Sequence, residues 1–165
     1  MRNLSLQPSC VVVATLLAAV LLPESEARAF NLKPDRVLVP AASYHIEATH
    51  DFQEINPGAI LVWEHGDLGL NAGAYYNSFG DISPTVGASF TPVRSENETF
   101  EAGLFANVAY YPDLEGLSTP IKEQVFPMAG LHVRYGNFYA QAIPFAHETD
   151  AASGVISIGV TFSLK

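Results

Sequence analysis

A chain of 165 residues leaves room for one modest domain, and its formal charge of −9, with no basic patch, excludes a nucleic-acid binder. Its single cysteine excludes a disulfide framework. Beyond residue 22 no apolar run approaches the ~20 residues that a spanning helix needs.

The first residues read as an export address. Arg2 stands in a short polar start, residues 11–22 (VVVATLLAAVLL) are wholly apolar, and a polar stretch closes in Ala27-Arg28-Ala29. Charged start, short apolar run and small-x-small exit are the parts of a secretory signal. Cleavage after Ala29 is expected, giving a signal over 1–29 and a mature barrel domain over 30–165. Cys10 leaves with the signal, and the charge is unchanged because Arg2 and Arg28 offset Glu24 and Glu26.

From Val37 onward an alternation of period two recurs. It predicts eight strands, over 37–47, 58–64, 68–77, 82–91, 98–110, 126–135, 137–145 and 154–164. In the first, Val39, Ala41, Ser43, His45 and Glu47 share one face, while Leu38, Ala42, Tyr44 and Ile46 take the other with Pro40 interrupting. The last is the clearest: Ile156, Ile158, Val160, Phe162 and Leu164 oppose Val155, Ser157, Gly159, Thr161 and Ser163. The links at 65–67 and around Gly136-Asn137 are tight, whereas 48–57 and 111–125 are long. An even number of strands near ten residues long, with short turns at one end and longer loops at the other, describes an antiparallel up-and-down transmembrane β-barrel. Closure would also remove the open edges that invite aggregation.

Which face is polar separates membrane from water. Ser43, His45, Asn71, Glu101, Asn107, His132 and Arg134 lie on the smaller face, and the opposite one is almost purely apolar. That suits lipid outside and a polar lumen. Glu64 and Pro84 interrupt the apolar faces. A soluble ligand-binding barrel, with the alternation inverted, and a non-enzymatic structural or adhesive outer-membrane barrel are the competing readings.

Several motifs, taken in order, resemble the lipid A palmitoyltransferases (the PagP family), which are eight-stranded barrels of the bacterial outer membrane. VPAASYH is similar to that family's Pro-x-x-x-x-His strand, with Pro40 and His45 at its separation, and Asn56-Pro57 resembles its second proline. YYNSFGDISPTVGASF (residues 75–90) is similar to the segment holding its Asp-Ser pair, proline and glycine. VFPMAGLHVRYG and YAQAIPF place Pro127 and Pro144 where the family has prolines in strands six and seven.

The resemblance implies transfer of an acyl chain from a phospholipid donor to lipid A, with membrane lipids as the partners, a monomer, and no cofactor or metal. His45 would be the base and Ser78 its polar partner, with Asn77 standing where the family has Asp. Because an amide cannot stabilise an imidazolium as a carboxylate does, the activity is expected to be altered or lost. Glu47, Asp51 and Asp81 are the carboxylates able to substitute. Pro40 with Pro57, and Pro127 with Pro144, would open the wall to lipids, since a proline gives a ladder no N–H. Ser89 stands where the family's acyl pocket ends at glycine, so a preference for chains shorter than palmitoyl is expected.

Overall fold

The structure, a computed structural model, describes residues 32–112, 124–145 and 152–165. The expected signal at 1–29 lies outside the described residues, as do Asp113, Glu115, Glu123, Glu148 and Asp150. The strands are β1 (Arg36–Ile46), β2 (Gly58–His65), β3 (Leu68–Tyr76), β4 (Ile82–Arg94), β5 (Phe100–Tyr110), β6 (Val125–Tyr135), β7 (Phe138–Pro144) and β8 (Gly154–Ser163). Each lies within three residues of its expected bounds. Every strand pairs antiparallel with its sequence neighbours, and β8 returns to β1, closing an eight-stranded barrel.

The two ends of the barrel differ. At one end β2 and β3 turn over Gly66-Asp67, and β6 and β7 turn over Gly136-Asn137. Gly66 (φ 60) and Gly136 (φ 58) take the left-handed conformation that the first position of a type II′ hairpin requires, so glycine is the natural occupant. Between β4 and β5, Asn97 Oδ1 accepts from Thr99 N at 3.2 Å and from Ser95 Oγ at 2.8 Å, while Phe100 N donates to Ser95 Oγ at 2.9 Å. The longer links, including 47–57 and 77–81, gather at the opposite end.

Interior and exterior follow the expected chemistry. Ser43, Asn71, Thr85, Glu101, Asn107 and Thr161 are buried, and large apolar side chains are exposed on every one of the eight strands. Among them are Tyr44 and Tyr110 at the loop end and Phe90, Phe100, Tyr135, Phe138 and Phe162 at the turn end.

Two face assignments change. In β1 the register against β8 shifts between Pro40 and Ala42, leaving Ala41 as an extra residue. A bulge of one residue reverses the side-chain phase. Arg36, Leu38 and Pro40 therefore share the interior with Ser43 and His45, and the expected grouping of Val39 and Ala41 with Ser43 fails. Glu64 also points inward, where Arg36 Nε reaches its Oε1 at 3.2 Å. It therefore leaves the outer face uninterrupted and shares the inner one with Ile60 and Val62, while Leu61 faces outward. Pro84 does sit on the outer wall, opposite Ala74.

Candidate functional site

Side chains of the interior divide the barrel into two compartments. In the turn-end half, Glu101 is held between two guanidinium groups, Arg134 Nε at 2.7 Å and Arg94 Nε at 4.0 Å. Arg134 also donates to the carbonyls of Gly136 (2.8 Å) and Glu98 (2.6 Å). Thr91 Oγ1 lies 3.1 Å from His132 Nε2, and Asn71 Nδ2 donates to Asn107 Oδ1 at 3.1 Å. At the margin of this half, Asp35 accepts from Glu64 N at 2.7 Å and meets Lys165 Nζ at 3.4 Å. The Glu64 amide, chiefly, holds the Asp35 carboxyl below its ordinary value; burial opposes it, and Lys165 and Arg36 add to the lowering.

The loop-end half holds a cavity of about 120 Å³ with mostly apolar walls. Phe105, Met128, Ile143 and Val155 form a buried cluster there, with Tyr75, Tyr111, Phe126 and Phe145 packed against it. Phe105 borders both halves and partitions them.

The rim of this cavity is a collar of ring contacts. His45 stacks on Phe52 (centroids 4.1 Å apart, planes 17° apart), and Phe52 meets Phe79 edge-on at 5.6 Å. Phe79 meets Tyr111 at 6.0 Å, Tyr111 meets Phe126 at 5.7 Å, and Phe126 meets Phe145 at 5.6 Å. Such edge and offset pairs suit the quadrupoles of the rings. Tyr111 and Tyr75 share a hydroxyl contact of 2.9 Å, and burial pushes the Tyr111 phenol up, so it stays neutral. The sequence reading singled out none of these loop aromatics. The available signal was that Phe79, Tyr111 and Phe145 each fall within three residues of a strand end, while Phe52 lies in the middle of the first long link.

His45 and Ser78 both line this cavity, although far apart in sequence. Gln53 N donates to Ser78 O at 2.9 Å, tying the first loop to the second. Among the described residues, His45 Nδ1 is buried without a hydrogen-bond partner. Asn77 does not serve it. At 1% exposure, its Nδ2 donates to Ser83 Oγ (2.8 Å) and its Oδ1 accepts from Phe79 N (2.8 Å) and Asp81 N (3.1 Å). That side chain organises the β3–β4 loop as an Asx turn. Glu47 leaves the strand in a left-handed conformation (φ 53) and is exposed, so it is not on the His45 face as expected. Glu54 is the carboxylate whose charge acts on His45.

Ser89 lines the turn-end compartment, opposite Phe105 across the β4–β5 ladder. The partition under the apolar cavity is therefore Phe105, and Ser89 lies beyond it.

The prolines mark two seams. The β1–β2 ladder stops at Leu38↔Ile60, and its next hydrogen-bonded pair would set Pro40, which lacks an N–H, against Gly58. Above it the two sides are joined by the Ala42↔Ile55 bridge, by Ser43 N to Glu54 O and Asn56 N to Ala41 O, and by the Ser43–Asn56 side-chain bond. The β6–β7 ladder stops at Leu131↔Ala142, although both strands continue. Tyr111 N bonds across to Gln124 O, so odd residues of β5 turn to β6. Val108 consequently turns away to β4, and its partner Pro127 turns its imide nitrogen to β7. Phe145 N bonds to Ser153 O on the β8 side, so Pro144 turns its nitrogen to β6. Both missing donors thus fall on one seam. Pro57 differs: its carbonyl accepts from Tyr76 N at 2.8 Å, so it faces β3.

Among the described residues no three His, Cys, Asp or Glu side chains gather as a metal site. No protein-family model matches the chain, and no curated protein matches its sequence. The fold and the site define a closed eight-stranded barrel with an aromatic-rimmed apolar cavity at its loop end.

Proposed function

We propose that this barrel spans the bacterial outer membrane and that its loop-end cavity takes the acyl chain of a phospholipid for transfer to lipid A. The observation that carries the proposal is one apolar cavity lined at the loop end by both His45 and Ser78. Exposed apolar residues on every strand, with aromatic residues near both ends, support the membrane setting, since water-soluble proteins rarely expose such a surface. The two ladder gaps beside Pro40 and beside Pro127 and Pro144 support sideways entry of lipid chains.

In the transfer, His45 removes the proton from a lipid A hydroxyl as its oxygen attacks the phospholipid ester carbonyl. The tetrahedral intermediate collapses, the acyl–oxygen bond of the donor breaks, and the departing lysophospholipid oxygen takes the proton back from the imidazolium. Stacking on Phe52 fixes the plane of the ring. With Asn77 spent on its own loop, His45 works without a bonded carboxylate, and in a serine-protease triad losing that carboxylate costs roughly 10⁴ in rate. Turnover is accordingly slow.

A chain-binding barrel without transfer activity is the second reading, favoured by the partnerless Nδ1 of His45. Mass spectrometry of lipid A from cells making the wild-type protein or His45→Ala separates the two. Extra acyl mass with the wild type and none with His45→Ala supports transfer. Lipid A unchanged by a correctly inserted wild-type protein leaves the binding barrel.

A further inference from the structure

The acyl cavity is not apolar throughout. Ser157 on β8 pairs with Ser43 on β1 and with Gln141 on β7, so three polar side chains lie side by side across three adjacent strands. All three line the cavity, and Gln141 borders the turn-end compartment as well. Ser43 is satisfied, donating to Asn56 Oδ1 at 2.6 Å. Among the described residues no hydrogen bond is seen to the Gln141 side chain or the Ser157 hydroxyl, and both residues are half-buried, open to the cavity rather than sealed off. Directly above them Ile143 and Val155 are buried and apolar. The polar step is therefore a discrete band beneath an apolar one.

Polar groups facing an apolar chain lose water without gaining a partner, which disfavours a plain chain at that depth. A hydroxyl on the ligand at that depth removes the penalty. We propose that the cavity selects an acyl chain bearing a hydroxyl in its proximal part, held by Gln141 and Ser157. The inference rests on the reading of this cavity as an acyl site. His45 pairs with Val155 and Ser43 with Ser157, so the step lies two residues below the histidine. At ~3.3 Å per residue and a strand tilt of ~40°, that is about 5 Å along the barrel axis. The hydroxyl thus belongs a few carbons from the ester, not at the tail.

The test uses the full-length protein in phospholipid nanodiscs and displacement of a fluorescent fatty acid. Competitors are decanoic acid and its isomers hydroxylated a few carbons from the carboxyl or at the tail. The proximally hydroxylated acid is expected to compete about tenfold better than decanoic acid, one 1.4 kcal/mol step. Gln141→Leu and Ser157→Ala should each reduce the preference, and together abolish it. Ser157→Thr, which retains the hydroxyl, should retain it, and heat-modifiable gel mobility confirms that each variant is folded. Equal or weaker competition by the hydroxylated acid overturns the selection but leaves the acyl site standing. Failure of every acid, and of the probe, to bind overturns both.

Discussion

Replacing Glu101 tests whether the turn-end charges hold the barrel together. Glu101 and Arg134 are only 10% and 11% exposed, and their contact is 2.7 Å, with Arg94 at 4.0 Å on the other carboxylate oxygen. At an effective dielectric of about 20, one charge pair near 4 Å is worth ~4 kcal/mol, and removing one partner of a buried pair costs ~3–5 kcal/mol. In Glu101→Gln, Arg134 keeps the carbonyls of Gly136 and Glu98, whereas Arg94 loses its carboxylate. A loss of about 3 kcal/mol, the lower end, is therefore expected. Arg134→Met should cost a similar amount, because Glu101 then retains only the longer contact to Arg94. The double variant should lose less than the sum, with a coupling of about 2 kcal/mol. Reversible urea unfolding in phospholipid vesicles, followed by circular dichroism and by heat-modifiable mobility, gives all three values. A Glu101→Gln barrel within ~0.5 kcal/mol of the wild type, or additive single variants, would show that the charges are merely solvated in the lumen.

Asp35 sets an acid limit. Its carboxyl titrates below the ordinary 3.8 in the folded barrel, so its contribution is complete above that pH and is lost as the pH falls through the folded value. Asp35→Asn should flatten stability against pH in that acid window only, as measured by urea midpoints. Gly136→Ala should cost about 1 kcal/mol, because φ 58 is unfavourable for a residue with a Cβ although open space surrounds it; an unchanged midpoint would refute the turn assignment. Deleting Ala41 should preserve folding, since without the extra residue Pro40 and Ser43 still face inward; loss of heat-modifiable mobility would contradict the bulge. Ser89→Gly should leave the chain-length preference of acyl binding unchanged, because Phe105 stands between that side chain and the cavity.

Strand positions were legible because a two-residue period and turn glycines are local properties. The inner face was legible too, from Ser43, Asn71, Glu101 and Asn107. Illegible was whatever depended on a partner that the two-residue period does not encode. Ile60 and Val62 line the interior while Leu61 faces outward, so β2 carries no phase signal and Glu64 looked misplaced until Arg36 stood beside it. The bulge at Ala41 is invisible because its effect is to move Leu38 and Arg36 to the other side of the wall. Asn77 looked like a departure from a catalytic carboxylate, yet its partners are Ser83 and the amides of Phe79 and Asp81, within a few residues of itself. The aromatic collar runs from His45 to Phe145 through contacts between successive loops, and only the folded hairpins bring those rings together.

The Phe105 partition has a consequence for how such a barrel can change. The ion pairs that bind β4, β5 and β6 lie on one side of it, and most of the cavity-lining residues lie on the other. Substitutions among Met128, Ile143, Val155 and the collar rings reshape what the cavity admits without reaching Glu101 or Arg134. Frame and specificity can thus drift separately, and a barrel of this plan can acquire a new occupant through loop and wall changes alone, its foundation left intact.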